Sequence, residues 1–170
     1  MKFISQFTKI MPFIMLLFVL QACSNDDDGS TPQPEELTIV ETAQASANLS
    51  ILVSALQAAD GDLVSVLSGD GPFTVLAPTN AAFTQFLADN NFNSLDDVPT
   101  DVLAQVLLNH VIAGEVTSTD LTAAGSGYTS TSATGPNNNN LSLYFDTSSG
   151  VEFNGVSGVT QADIEASNGI

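Results

Sequence analysis

From residue 37 onward the apolar positions follow two periods, one after the other. Leu49, Leu52, Val53 and Leu56 recur at i, i+3, i+4 and i+7, one face of a helix. Asn48 is the expected N-cap and Asp60-Gly61 the expected stop. A second short helical turn runs through Leu63, Val64 and Leu67 and ends at Gly69. Residues 73–77 form a short apolar strand closed by Pro78, after which Thr79 or Asn80 caps a helix carrying Phe83, Phe86 and Leu87. Pro99 stands at an early helical position, ahead of a stripe of Val102, Leu103, Val106 and Leu107. The pattern then shortens to strands at 111–117, 128–132, 141–146 and 151–153. A polar loop over 135–140 and turns at Ser149-Gly150 and Asn154-Gly155 separate them. Helices followed by a run of strands predict an α+β fold, and the 134 residues from Leu37 to Ile170 can bury one core.

The first 36 residues follow neither period. Residues 10–20 are an unbroken apolar run behind Lys2 and Lys9. The run is shorter than the about 20 residues a spanning helix needs and has the form of a secretory signal. Leu20-Gln21-Ala22-Cys23 resembles the bacterial lipobox, in which the cysteine sulfur is lipidated and the signal is cut before it. Cys23 is the sole cysteine, so it has no disulfide partner within the chain. A lipoprotein signal peptide over 1–22 and membrane attachment through a lipid on Cys23 are therefore expected, with an uncleaved anchor helix as the alternative. Residues 23–36 form an acidic flexible tether rich in Ser, Asp, Pro and Glu. Its acidic start also resembles surface-export signals of some Gram-negative lipoproteins.

Charge narrows the partners. Both basic residues, Lys2 and Lys9, fall in the segment expected to be removed, against 19 Asp and Glu in the remainder. Phosphate backbones repel such a chain, so no nucleic acid partner is expected. Anionic lipid surfaces are met only through the anchor.

Catalytic chemistry lacks parts. With one histidine and an acylated thiol, Ser-His-Asp and Cys-His arrangements are incomplete. No His or Cys cluster has zinc-ligand spacing. Asp60-Gly61-Asp62 and Gly69-Asp70-Gly71 suit helix stops better than calcium loops. Val64 occupies a ligand place of a loop starting at Asp60, and Gly71 stands where its closing Glu belongs. The expectation is a non-enzymatic protein without cofactor or metal.

Three stretches carry a family resemblance: IVETAQASANLSILVSALQAADGDLVSVLSGDGPFTVLAPTNAAF, then VLLNHVIAGEV, then NGVSGVTQADIEASNGI. Together they span residues 39–170 and resemble the fasciclin (FAS1) domain. Pro78-Thr79-Asn80-Ala81-Ala82-Phe83 and Ala166-Ser167-Asn168-Gly169 are its most specific pieces. The resemblance implies a FAS1-like wedge of two small sheets with a helical layer over 37–170, and an extracellular adhesion or matrix-interaction role. The chain departs from the family in having Asn109-His110 where Tyr-His is usual. Members also continue past Asn-Gly-Ile into a final strand, so the domain is expected to lack that strand because the sequence is truncated. The alternative is a short form completed by a partner strand; such a form is expected to expose an edge and to be weakly stable as a monomer.

The resemblance also marks residues. His110 continues the stripe of Leu103 and Leu107, so burial is expected. The family implies that it ties its helix to Thr79 or Asn80 by a hydrogen bond, and links the Tyr-His motif to receptor binding in animal members. Asp163 and Ile164 stand where animal relatives place an Asp-Ile pair implicated in integrin binding. The plainer expectation is that Asp163 caps the turn through Ser167 and Ile164 plugs the core. The expected function is a lipid-anchored module on the outer membrane or cell surface, adhering to an unknown extracellular protein or polysaccharide. The alternative is a periplasm-facing envelope lipoprotein that binds a small ligand or assists envelope assembly.

Overall fold

The computed structural model describes residues 36–170. Cys23, the expected signal peptide and nearly all of the expected tether lie outside the described residues. Helix α1 (Ile39–Gln44) opens the domain, and a 3-10 turn (Ala47–Leu49) leads into α2 (Ser50–Ala58) and α3 (Leu63–Ser68). Strand β1 (Phe73–Val75), α4 (Asn80–Asp89), α5 (Thr100–Leu108) and β2 (Val111–Ala113) follow. After α6 (Ser118–Ala124) come β3 (Ser126–Thr134), β4 (Asn140–Asp146), β5 (Glu152–Phe153) and β6 (Ser157–Gly158). The α+β expectation of two small sheets with a helical layer holds: β1 pairs with β2, and β3 to β6 form a second antiparallel sheet in chain order.

The α1 and α6 helices were not among the expected elements. Both are shorter than the apolar period resolves, and both begin with a reciprocal cap. The Thr38 hydroxyl accepts from the Glu41 amide at 3.3 Å, while the Glu41 carboxylate accepts from the Thr38 amide at 2.8 Å. Thr117 and Asp120 repeat the device on α6. The expected strand over 111–117 ends early, at Ala113. Gly114 follows at φ +100°, and the buried Thr74 hydroxyl takes over, donating to the Gly114 carbonyl and accepting from the Val116 amide, each at 2.8 Å.

Asn48 is not the N-cap of α2, because it lies inside the preceding 3-10 turn. The first turn of α2 is instead satisfied from 29 residues away, where the Asn80 side chain accepts from the Ile51 amide at 2.9 Å. The Asn80 amide nitrogen donates to the Ala47 carbonyl and the Ser50 hydroxyl, each at 3.0 Å. Thr79 is the N-cap of α4, its hydroxyl accepting from the Ala82 amide. Thr79 and Asn80 thus start one helix and pin the start of another.

Two apolar cores result. The larger gathers Val40, Leu52, Leu56, Leu67, Leu103 and Leu107 with their neighbours, under the helices and against β1 and β2. Within the expected α5 stripe, Leu103 is 1% exposed, but Val102 faces water at 42%; Ala104 takes the buried place. The smaller core is Leu121, Leu143, Phe145 and Phe153. Thr131, fully buried, ties the two halves: its hydroxyl donates to Asn109 Oδ1 at 3.0 Å, from β3 to the C-cap of α5. The Asn109 side chain therefore holds the large sheet to the helical layer.

Candidate functional site

Of the resemblance-marked residues, His110 lies beside and Ile164 within the segment 163–170, which is bonded to the opening helix and to β1. Asn168 is the centre of that closure. Its Oδ1 accepts from the Ile39 amide at 2.9 Å, and its Nδ2 donates to the Leu67 and Gly69 carbonyls, each at 2.8 Å. One side chain so joins the start of α1 to the end of α3, using both amide hydrogens. The backbone beside it runs parallel to β1. Phe73 N donates to Asn168 O, Ile170 N to Phe73 O, and Val75 N to Ile170 O, at 3.0, 2.9 and 2.8 Å. Next along β1, the Val75 carbonyl accepts from the Ala77 amide at 3.0 Å in a tight turn.

This approach admits no side chain at Gly169. A Cβ there would fall 1.9 Å from the Phe73 carbonyl oxygen, and φ is +143°. Gly71 faces the same restriction, with the Asn168 oxygen 2.0 Å from its would-be Cβ.

Beside the closure lies an apolar cleft of about 80 Å³. Leu52, Val75 and Pro78 line it, with His110, Ile164 and Ile170. His110 and Ile164 therefore share one cleft although they are far apart in sequence. The imidazole of His110 is half-buried, and its Nδ1–H donates to the Val106 carbonyl at 2.8 Å, one helical turn back. That bond replaces the expected one to Thr79 or Asn80, whose side chains are turned to α4 and α2. Link to the β1 region comes from the His110 backbone, whose carbonyl accepts from the Leu76 amide at 2.8 Å. Ile164, expected to plug the core, sits on the cleft at 43% exposure.

Asp163 does not cap the turn through Ser167. Its backbone is left-handed, at φ +53°, and its carboxylate reaches back 45 residues to the first turn of α6. It accepts from the Ser118 amide at 2.8 Å and from the Ser118 hydroxyl at 2.6 Å. The hydroxyl bond first, and the amide bond second, hold the Asp163 carboxyl below the usual range, partly opposed by desolvation and then by the charge of Asp120. Among the described residues, the left-handed positions other than glycine are Asp62, Asn91, Asn138, Asn154 and Asp163, residue types that tolerate this region.

Sequence reading passed over Asn168 as a clasp, although it stands in the closing motif. It also passed over a paired aromatic face. Tyr128 and Tyr144 are directly opposite on β3 and β4, with ring centroids 5.3 Å apart. The two-residue period of each strand puts both rings on the face away from Leu143 and Phe145. That alternation was available in the sequence.

The architecture is that of a small two-sheet α+β domain whose closing residues are stitched into its opening helix. The sequence profile of the Fasciclin domain matches residues 47–170, and the chain belongs to that family. Protein sll1483 of Synechocystis sp. is 37% identical over 134 residues, covering 79% of this chain and 68% of the relative. Cell surface glycolipoprotein MPB83 of Mycobacterium bovis is 38% identical over 92 residues, 51% of this chain and 40% of that protein. The chain thus spans less than half the length of the mycobacterial relative.

Proposed function

We propose that this chain is a lipid-anchored, surface-exposed fasciclin module that adheres to an extracellular partner and catalyses nothing. The observation that carries the reading is the order of segments: an apolar run, Leu20-Gln21-Ala22-Cys23, an acidic spacer, then a fasciclin domain. The Mycobacterium bovis relative named a cell surface glycolipoprotein supports the reading. Acylation of Cys23 would attach the module to the outer membrane, because several acyl chains hold far more firmly than one. The tether would then carry the domain away from the bilayer.

Within this reading His110 and Asp163 position the recognition surface, and Ile164 touches the partner. The Asp163 carboxylate is engaged by Ser118, whereas Ile164 presents its side chain at the cleft. The apolar cleft favours one second reading, an envelope protein that faces the periplasm and takes a small apolar ligand.

Protease shaving of intact cells separates the two. Proteinase K is required, since the chain beyond Lys9 offers trypsin no Lys or Arg. Loss of the protein from unbroken cells is expected, detected by antibody. Protection until the envelope is opened would overturn surface display and favour the second reading.

A further inference from the structure

We infer that the outer face of the β3–β4 sheet is a glycan-binding platform, selective for polysaccharides without acidic groups. The inference rests on the adhesion reading and adds to the contact at Ile164 a second face with its own partner class.

The face is read directly from the register. Ser126 opposes Asp146, Tyr128 opposes Tyr144, and Ser130 opposes Ser142. The alternate residues Leu143 and Phe145 are buried, so these six side chains share the side turned to water. Glu152 of β5 opposes Asp146 and extends the same face. Two aromatic rings therefore stand between exposed serine hydroxyls at one end and carboxylates at the other.

A cross-strand aromatic pair stabilises a sheet by itself, which accounts for Tyr144, half-covered by its neighbours. It does not account for Tyr128, which remains 75% exposed while packed against it. The rings are tilted by 58°, so Tyr144 buttresses Tyr128 from one side and leaves a Tyr128 face open. Such a ring offers a negative π-face. The C–H face of a pyranose ring is apolar and slightly positive, and it stacks there. The sugar's hydroxyls then point outward, to serine hydroxyls that both donate and accept and to carboxylates that accept. A centroid separation of 5.3 Å leaves no room between the two rings, so the sugar stacks on the outer face of Tyr128 that Tyr144 does not cover.

Charge selects among glycans. Asp146 and Glu152 lie on the face itself, and residues 24–170 contain no Lys or Arg. A uronate or sulfate group would meet carboxylates and π-density there and no cation to offset them. Strands hydrogen-bonded along their length keep the rings in place before a ligand arrives. Tyrosine, with few rotatable bonds, also loses little entropy on binding.

The test is affinity electrophoresis of the full chain, purified from membranes in mild detergent, through gels containing galactomannan, neutral arabinoxylan, laminarin, alginate or heparin. Retardation by at least one of the three neutral polymers is expected, with none by alginate or heparin. Tyr128→Ala should weaken that retardation roughly tenfold, the loss of one aromatic stacking contact. Tyr128→Phe, which keeps the ring, should restore it to within a few-fold, and Val66→Ser on the exposed side of α3 should leave it unchanged. A cooperative melt of Tyr128→Ala, lowered only slightly by loss of the cross-strand pair, certifies that the sheet is intact. No retardation in any neutral gel would overturn the inference, as would equal retardation by alginate, or retention that survives Tyr128→Ala. Protease shaving keeps the two readings apart. A shaved protein that ignores the neutral glycans loses only this inference, and a protected protein that binds them loses only surface display.

Discussion

The helical half of the domain, from α1 to α5, and the strand half, from α6 onward, are held by different kinds of force. In the first, leucines and valines of successive helices meet in one continuous cluster around Leu103. In the second, the apolar cluster is four buried residues, and directed polar bonds do much of the work. The Thr131 hydroxyl reaches Asn109, the Asn140 side chain donates to the Thr131 carbonyl at 2.8 Å, and Asp163 holds α6 through Ser118. Burial of apolar surface is non-directional and tolerates a loose fit. A hydrogen bond in a buried place is worth little net but is costly to leave half-made. The strand half is thereby specified by the placement of a few partners, the helical half by the amount of surface it removes from water.

Substitutions can break that contrast, and the closure that serves both halves should respond most. Gly169→Ala places a Cβ onto the Phe73 carbonyl, a conflict between two backbones that no rotamer relieves. The closing residues are expected to detach, lowering the urea midpoint further than any other change considered and exposing the Phe73 and Ile170 amides to hydrogen exchange. Leu103→Ala should come next, at about 2–5 kcal/mol, as a large buried side chain leaves a cavity. Thr131→Val keeps the shape but strips the donor from Asn109, for about 1–3 kcal/mol by the same urea titration. Should Thr131→Val cost as much as Leu103→Ala, the two halves would depend on packing and polar ties alike, and the contrast would fail.

The smallest effect is expected at Asp163 and has a pH signature. Its carboxyl is depressed in the folded state, so its contribution is fully present above the ordinary carboxylate range of about 4. It is lost as the pH falls through the lower folded value. Asp163→Asn should therefore melt below wild type at pH 7, with the two curves converging on acidification through that range. A gap that persists in acid would mean that Asp163 acts through its shape alone.

Legibility followed the same division. Helices α2 to α5 and the main strands could be read because apolar side chains repeat with the period of the structure. Asn48 looked like a cap because the rule is local, whereas the true partner of α2 is Asn80. Asp163 misled in the same way, since Ser118 lies 45 residues from it and nothing near Asp163 names it. For His110 the failure ran the other way. Its acceptor, Val106, is one turn distant, and the resemblance pointed instead to Thr79 and Asn80. The Thr38–Glu41 and Thr117–Asp120 caps were readable pairs, passed over because the helices they start hold fewer than two full turns of apolar signal.

The closure also decides how the molecule bears load. Leu37 receives a backbone hydrogen bond from Ser167 at 2.9 Å, so the chain enters the domain and reaches its final residues at the same spot. Were the module anchored as proposed, a pull from the N-terminal side would act at that seam. Tension between the two sides of the seam would unzip it bond by bond, beginning with Ser167 and the Asn168 side chain, before any strain reached the leucines beneath. The weak point under traction would be a small polar zipper, free to re-form once the pull is released.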